Sequence, residues 1–269
     1  MQSLSSIHPD APRMLTASAL MSAPIDLEAA VQRFALLWSE KIEPSWESAT
    51  GSDGVEQRIL HCETRGVHIL LTPVNMPLVV AGTLPEHCFY VAATFYAPPT
   101  VGTQTRYEGE SAHDTELGPL HFRHRMVDAH VVMTELMDAM MREPAAVGVY
   151  REELGVVLPP TMVTNFANLL TQGQPPIPLW VNCRVQRPDL SFGRTFGLPC
   201  FGHLDLQVRE STHGEDDVYD LLSNIASYII TSDTHLLPGQ TFGMSADQPI
   251  GISQEISHVD GASVIRLDF

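Results

Sequence analysis

The ten residues PCFGHLDLQV, 199–208, bring Cys200, His203 and Asp205 within six positions. A metal half-site, a thiol with its base, and a plain strand all fit those residue types. Strand alternation separates the three. From Gly202 onward, Leu204, Leu206 and Val208 point one way, while His203, Asp205 and Gln207 point the other. An apolar row of this kind belongs under a helix, so the stretch predicts one strand of a half-buried sheet. The odd spacing of Cys200 and His203 puts them on opposite faces, unless a bulge at Gly202 turns one of them. A structural zinc site needs two more ligands, and no paired Cys/His motif lies nearby. A Cys–His nucleophile has residue type alone in its favour.

The preceding run, IPLWVNCRVQ at 177–186, alternates in the same way. Leu179, Val181, Cys183 and Val185 share one face; Trp180, Asn182, Arg184 and Gln186 share the other. If the two strands pair antiparallel, Trp180, Asn182, Arg184, His203 and Asp205 gather on the face away from the helices. Two readings stay open for that face. One is a solvated surface with an Arg–Asp cross-strand pair. The other is a binding platform, on which Arg184 holds an anionic group and His203 moves a proton.

Further out, SAPIDLEAAVQRFALLWSEKI predicts a helix capped by Asp26, with Leu27, Ala30, Val31, Phe34, Leu37 and Trp38 on one face. MLTASALMS, VEQRILHCET, GVHILLTPV and CFYVAATFYA read as strands, the middle two joined by a tight turn at Arg65–Gly66. A long helix is expected over 122–142 on Ala129, Val132, Met133, Leu136, Met137 and Met140. AVGVYREELGVVLPP reads as a strand or hairpin, and a helix follows over 161–171. Thr212 with Glu215 signals the start of another helix, running to about residue 231 on Val218, Leu221, Leu222, Ile225 and Ile229. Two strands close the chain.

Helices alternating with neighbouring strands point to an α+β fold, with largely antiparallel sheet packed by helices on one face. A strand–helix–strand–strand echo at 14–74 and 146–209 suggests two related halves. The expected layout is a tail at 1–12, an N-terminal half at 13–97, a polar loop at 98–119 and a C-terminal module at 120–269.

The 15 Lys and Arg against 32 Asp and Glu give a net charge of −17. That balance argues against nucleic acid and anionic membrane surfaces as partners, since both demand clustered cations. It favours encounter with a basic protein. No apolar run is long enough to cross a membrane, and RMLTASALMSAP lacks a secretory signal's proportions, so a cytoplasmic protein is expected. Cys62, Cys88, Cys183 and Cys200 form no CxxC pair and sit in or beside apolar runs, as small hydrophobes do. His121, His124 and Asp128 on one helix face are the candidate metal ligands, but Arg123 and Arg125 stand beside them and the spacing misses H-E-x-x-H. No cofactor is expected, and no catalytic motif supports an enzyme.

From 145 to 245 the chain resembles a bacterial family of domains of unknown function. The resemblance is carried by LWVNCR, GRTFGLPCFGHLDLQV, DDVYDLLSNIASY and LLPGQTFG. It implies recurring positions at Trp180, Asn182, Arg184, Gly197, Phe201, Gly202, Tyr219, Asn224, Tyr228 and Gly239. Some members of that family resemble immunity proteins encoded beside secreted toxins. The resemblance therefore implies a non-catalytic protein-binding module that neutralises a toxin, with a basic toxin as the expected partner. The alternative is a small-molecule enzyme or ligand-binding protein using Arg184, His203 and Asp205.

Overall fold

Asp26 starts the first helix as expected: its carboxylate accepts from the Ala29 N–H at 3.1 Å. In the computed structural model, which describes residues 6–9, 11–50, 56–98, 123–187, 189–232, 234–243 and 249–269, that helix (α1, Leu27–Trp38) buries Leu27, Ala30, Val31 and Phe34. Leu37 is exposed. Before it runs β1 (Met14–Met21). After it come β2 (Ser45–Thr50), β3 (Glu56–Thr64), β4 (Val67–Val74) and β5 (Phe89–Tyr96), then α2 (Arg123–Met141), β6 (Ala146–Arg151) and β7 (Val156–Leu158). The seven strands form one antiparallel sheet in the order β2-β3-β4-β5-β1-β6-β7. Arg65 and Gly66 turn β3 into β4 with φ of 51° and 68°, both left-handed, which matches the twist of a two-residue hairpin.

Alternation holds along this sheet: Leu15, Ala17, Ala19, Ile69, Leu71, Val91, Ala93 and Phe95 are buried. The stripe expected on α2 is buried as well, but so are Thr134, Glu135 and Asp138, so the helix is enclosed on nearly every side. Its acids are paired. Glu135 meets the Arg65 guanidinium, and Asp138 Oδ1 lies 2.9 Å from Arg142 Nη2. Burial nonetheless pushes the Glu135 carboxyl up to about 7.

The second sheet follows α3 (Pro160–Ala167) and the one-turn α4 (Ile177–Trp180). Its strands are β8 (Asn182–Gln186), β9 (Ser191–Phe196), β10 (Leu206–Ser211), β11 (Thr241–Gly243), β12 (Pro249–Ile256) and β13 (Ser263–Asp268), with α5 (Glu215–Ser232) between β10 and β11. The order is β11-β12-β13-β10-β9-β8; only the β10–β13 pair is parallel. The fold is α+β with two mostly antiparallel sheets.

Four expectations are corrected. The helix α5 begins at Glu215 with Gly214 before it, and Asp217 rather than Thr212 serves the start, accepting from Gly214 N–H at 3.1 Å. The run 177–186 is one turn of helix followed by a strand, because Pro175, Pro176 and Pro178 cannot serve a ladder. The second echo, 146–209, straddles both sheets, so it is no copy of 14–74. The boundary also moves. The described residues of Arg13–Thr103 and His124–Leu179 form one compact unit, and those of Met1–Pro12 and Trp180–Phe269 belong to another. Most of the expected loop, 99–119, lies outside the described residues.

Candidate functional site

Gly193 decides which way the second sheet faces. A Cβ on it would lie 2.5 Å from Val218 Cγ1 and 2.9 Å from Leu222 Cδ1, so its side of β9 is pressed against α5. By alternation Phe192, Arg194 and Phe196 face away from the helix. Across the ladder Arg184 stands opposite Arg194, Arg194 opposite Gln207, and Gln207 opposite Arg266. Three arginines thus share one cross-strand row.

Like charges directly opposite repel. Here the repulsion is offset by aromatic and acidic neighbours. The guanidinium carbons of Arg184 and Arg194 sit 4.5 and 4.9 Å from the Phe196 ring centroid. Arg194 Nη1 donates to Asp260 Oδ1 at 2.6 Å and to Ser257 Oγ at 2.7 Å. The hydrogen bond from Arg194 holds the Asp260 carboxyl below its ordinary value. Gln207 donates to Glu255 and accepts from Ser257 Oγ at 2.7 Å. Arg209 Nη1 lies 3.5 Å from Glu255 Oε2.

A groove of about 410 Å³ opens here, with Phe192 and Phe196 as its aromatic surface and Arg184, Arg194 and Arg209 as its cations. Gln186, Leu190, Glu210, His258 and Val259 complete the lining, and His258 meets the Phe192 ring edge-on at 5.2 Å. Chemically the groove offers guanidinium forks beside aromatic faces, the surroundings a carboxylate on an apolar body requires.

The expected five-residue face does not exist, because β9 lies between β8 and β10. Arg184 alone of the five lines the groove, exposed on β8. Asn182 is half-buried opposite Phe196. Trp180 ends α4, is 1% exposed, and packs on Phe201 with ring centroids 6.0 Å apart. His203 is fully buried. Its Nε2 accepts from Leu236 N–H at 3.3 Å, its Nδ1 lies 2.5 Å from Leu204 O, and its ring stacks on His235. Asp205 is enclosed, accepting from Thr195 Oγ1 at 3.0 Å and Leu198 N–H at 3.3 Å. Burial pushes its carboxyl up to about 7. An acid–base site built from Arg184, His203 and Asp205 is therefore not assembled.

The reading of 199–208 as a single strand is corrected too. Residues Leu198–Phe201 form a 3₁₀ turn, and the strand begins at Leu206. Gly197 (φ 118°) and Gly202 (φ 74°) bracket that turn in conformations that favour glycine. Leu204, Leu206 and Val208 are buried as expected, and so are His203, Asp205 and Gln207. His121 and the His124 side chain lie outside the described residues, and Asp128 pairs with Arg125 Nη1 at 2.6 Å. Among the described residues no cluster of His, Cys, Asp and Glu is placed to hold a metal.

Of the cysteines, Cys88 is exposed, Cys62 and Cys200 are buried and Cys183 is half-buried. Burial pushes the Cys62 thiol up to about 12 and Cys183 to about 11. An aromatic disulfide reagent at pH 8 is expected to label Cys88 first, because thiolate and access set the rate. Cys88→Ser should remove the fast phase; a fast phase surviving that change would place a reactive thiol elsewhere.

Residues 194–268 match the family model of a domain of unknown function, DUF4261. The matched span takes in Arg194, Phe196 and Arg209 of the groove, while Arg184, Phe192 and the Trp180 turn precede it. No curated protein and no solved structure matches the chain. No described helix is long and apolar enough to cross a membrane.

Sequence reasoning passed over β9 and with it Phe192, Arg194 and Phe196. The signal was present as SFGRTF, in which Phe192, Arg194 and Phe196 alternate with Gly193 and Thr195.

Proposed function

We propose that the chain is a non-catalytic, cytoplasmic protein-binding module whose arginine–phenylalanine groove receives an acidic side chain of its partner beside an apolar one. One observation carries the reading. A chain with 15 Lys and Arg against 32 Asp and Glu sets Arg184, Arg194 and Arg209 around a single groove with Phe192 and Phe196. Arginine beside aromatic surface is the composition of interface hot spots. Asp260 and Glu255 pair with Arg194 and Arg209, so less side-chain freedom is lost when a partner arrives.

Neutralisation of a bacterial toxin is the finer form of this reading. It draws support from the resemblance of 145–245 to a family of domains of unknown function, some of whose members resemble immunity proteins, and from the net charge of −17, which speeds encounter with a basic partner. The groove adds that the docked segment of such a partner carries a carboxylate.

Fluorescence anisotropy with labelled peptides tests the groove. Peptides pairing Glu with Phe or Leu are expected to bind about tenfold more tightly than their Gln counterparts. Arg184→Ala, at an exposed position, should erase that difference without lowering stability. Equal affinity for Glu and Gln peptides rejects the groove as a carboxylate site. For the finer reading, co-expression with a toxin encoded next to this gene should restore growth, and Arg184→Ala should lose the protection.

A further inference from the structure

The first sheet carries a second cleft, on residues the groove does not use. On the face of β1 away from its buried Leu15, Ala17 and Ala19, Ser18 stands between Ala92 on β5 and Tyr150 on β6, and Thr16 stands opposite Thr94. Small side chains at this centre leave a trough. The connection from β4 to β5 returns over it, and Leu78, Val79, Val80 and Ala81 form the opposing wall.

That wall is built in advance. His87 Nε2 accepts from the Leu78 N–H at 2.8 Å, which puts the ring proton on Nδ1, 2.7 Å from Pro85 O. The neighbouring Cys88 N–H donates to Met21 O at 3.1 Å, tying the end of the connection to β1. The cleft between wall and sheet measures about 440 Å³, within the range of small-ligand sites.

Its polar groups are the hydroxyls of Thr16, Ser18, Thr94 and Tyr150 and the carboxylate of Glu152. No Lys or Arg is among the lining residues. Glu153 is already engaged, accepting from Thr16 N–H at 3.3 Å and Oγ1 at 3.1 Å, with its other oxygen 3.5 Å from Arg151 Nε. The Glu152 carboxylate makes no ion pair or hydrogen bond among the described residues; only its backbone carbonyl does, accepting from Gly155 N–H at 3.0 Å. A cleft with an apolar wall, acceptor hydroxyls and one unmatched carboxylate is complementary to a cation on an apolar stem.

We propose that this cleft binds a primary ammonium carried on a short aliphatic stem. The ammonium sits against Glu152 and the Thr16 and Ser18 hydroxyls, and the stem lies along Leu78–Ala81. A free alkylamine and a lysine side chain of a partner share this chemistry.

The test is NMR titration of the full chain with n-butylammonium, butan-1-ol and butyrate. Butylammonium is expected to saturate in the millimolar range, about 1 mM, shifting the amides of Ser18, Ala92 and Thr94. Butanol should bind at least about tenfold more weakly, and Glu152→Gln should weaken butylammonium by about the same factor. Ser18→Leu, shown to be folded by its melting curve, fills the trough and should abolish binding. Butanol binding as tightly as butylammonium, unchanged affinity in Glu152→Gln, or binding retained in Ser18→Leu overturns the proposal. A lysine-containing peptide that displaces butylammonium assigns the site to a protein partner. A peptide that fails to displace it assigns the site to a free amine.

Discussion

Trp180→Ala is expected to cost about 3–5 kcal/mol of stability, the range for removing a fully buried large aromatic. Trp180 is 1% exposed and packs on Phe201, itself fully buried, with rings 6.0 Å apart and tilted by 32°. Truncation leaves a cavity beside the 3₁₀ turn that carries Phe201, and that turn is fixed at both ends by Gly197 and Gly202 in positive-φ conformations that other residues rarely adopt. Little local relaxation can refill the space. Urea unfolding followed by far-ultraviolet circular dichroism measures the loss, and Trp180→Phe should recover part of it. Arg184→Ala gives the contrast. Its side chain lies exposed at the groove, so stability should change by no more than about 0.5 kcal/mol while carboxylate binding falls. A Trp180→Ala protein with wild-type stability and lost binding would return Trp180 to the binding face, against its burial.

This contrast shows which parts of the molecule could be read from residues alone. Local chemistry was legible: the Asp26 cap, the Arg65–Gly66 hairpin, the apolar stripes of α2 and α5, and the closing strands all follow from short-range rules. Strand neighbours were not. Arg184 and Asp205 read as cross-strand partners only if β8 and β10 pair, and β9 lies between them. That strand escaped notice because its centre is Gly193, a residue that weakens a strand by propensity. Only the close approach of Val218 and Leu222 explains the glycine, and that approach is a tertiary fact. The buried polar residues of 203–207 follow the same pattern. Alternation reads His203, Asp205 and Gln207 as one polar strand face, but the strand begins at Leu206, and hydrogen bonds to Leu236, Thr195 and Ser257 enclose the three side chains in the interior. The groove was thus half visible, as Arg184 without its neighbours.

Asp205→Asn is expected to flatten the pH dependence of stability and to exceed the wild type at pH 8. In the unfolded chain Asp205 titrates near 3.8, and in the folded chain burial raises it to about 7. Below pH 4 both states hold the proton and the group is neutral to stability. Between about 4 and 7 the unfolded chain releases its proton while the folded one keeps it, so stability falls as pH rises. Above 7 both are ionised and the full cost is present. A separation of roughly three pH units is worth a few kcal/mol, at about 1.4 kcal/mol per unit. Asparagine keeps an oxygen to accept from Thr195 Oγ1 and Leu198 N–H, and it carries no charge to bury. Glu135, also raised to about 7, adds a slope of the same sign to both proteins. The difference between the two urea-unfolding curves from pH 4 to pH 8 therefore isolates Asp205. It should be near zero at pH 4 and grow to a few kcal/mol in favour of Asp205→Asn by pH 8. Parallel curves would mean that the Asp205 carboxylate is stabilised in place as an anion. Arg194 is the cation close enough to do so, and the row of arginines would then act on Asp205 as well as on the groove.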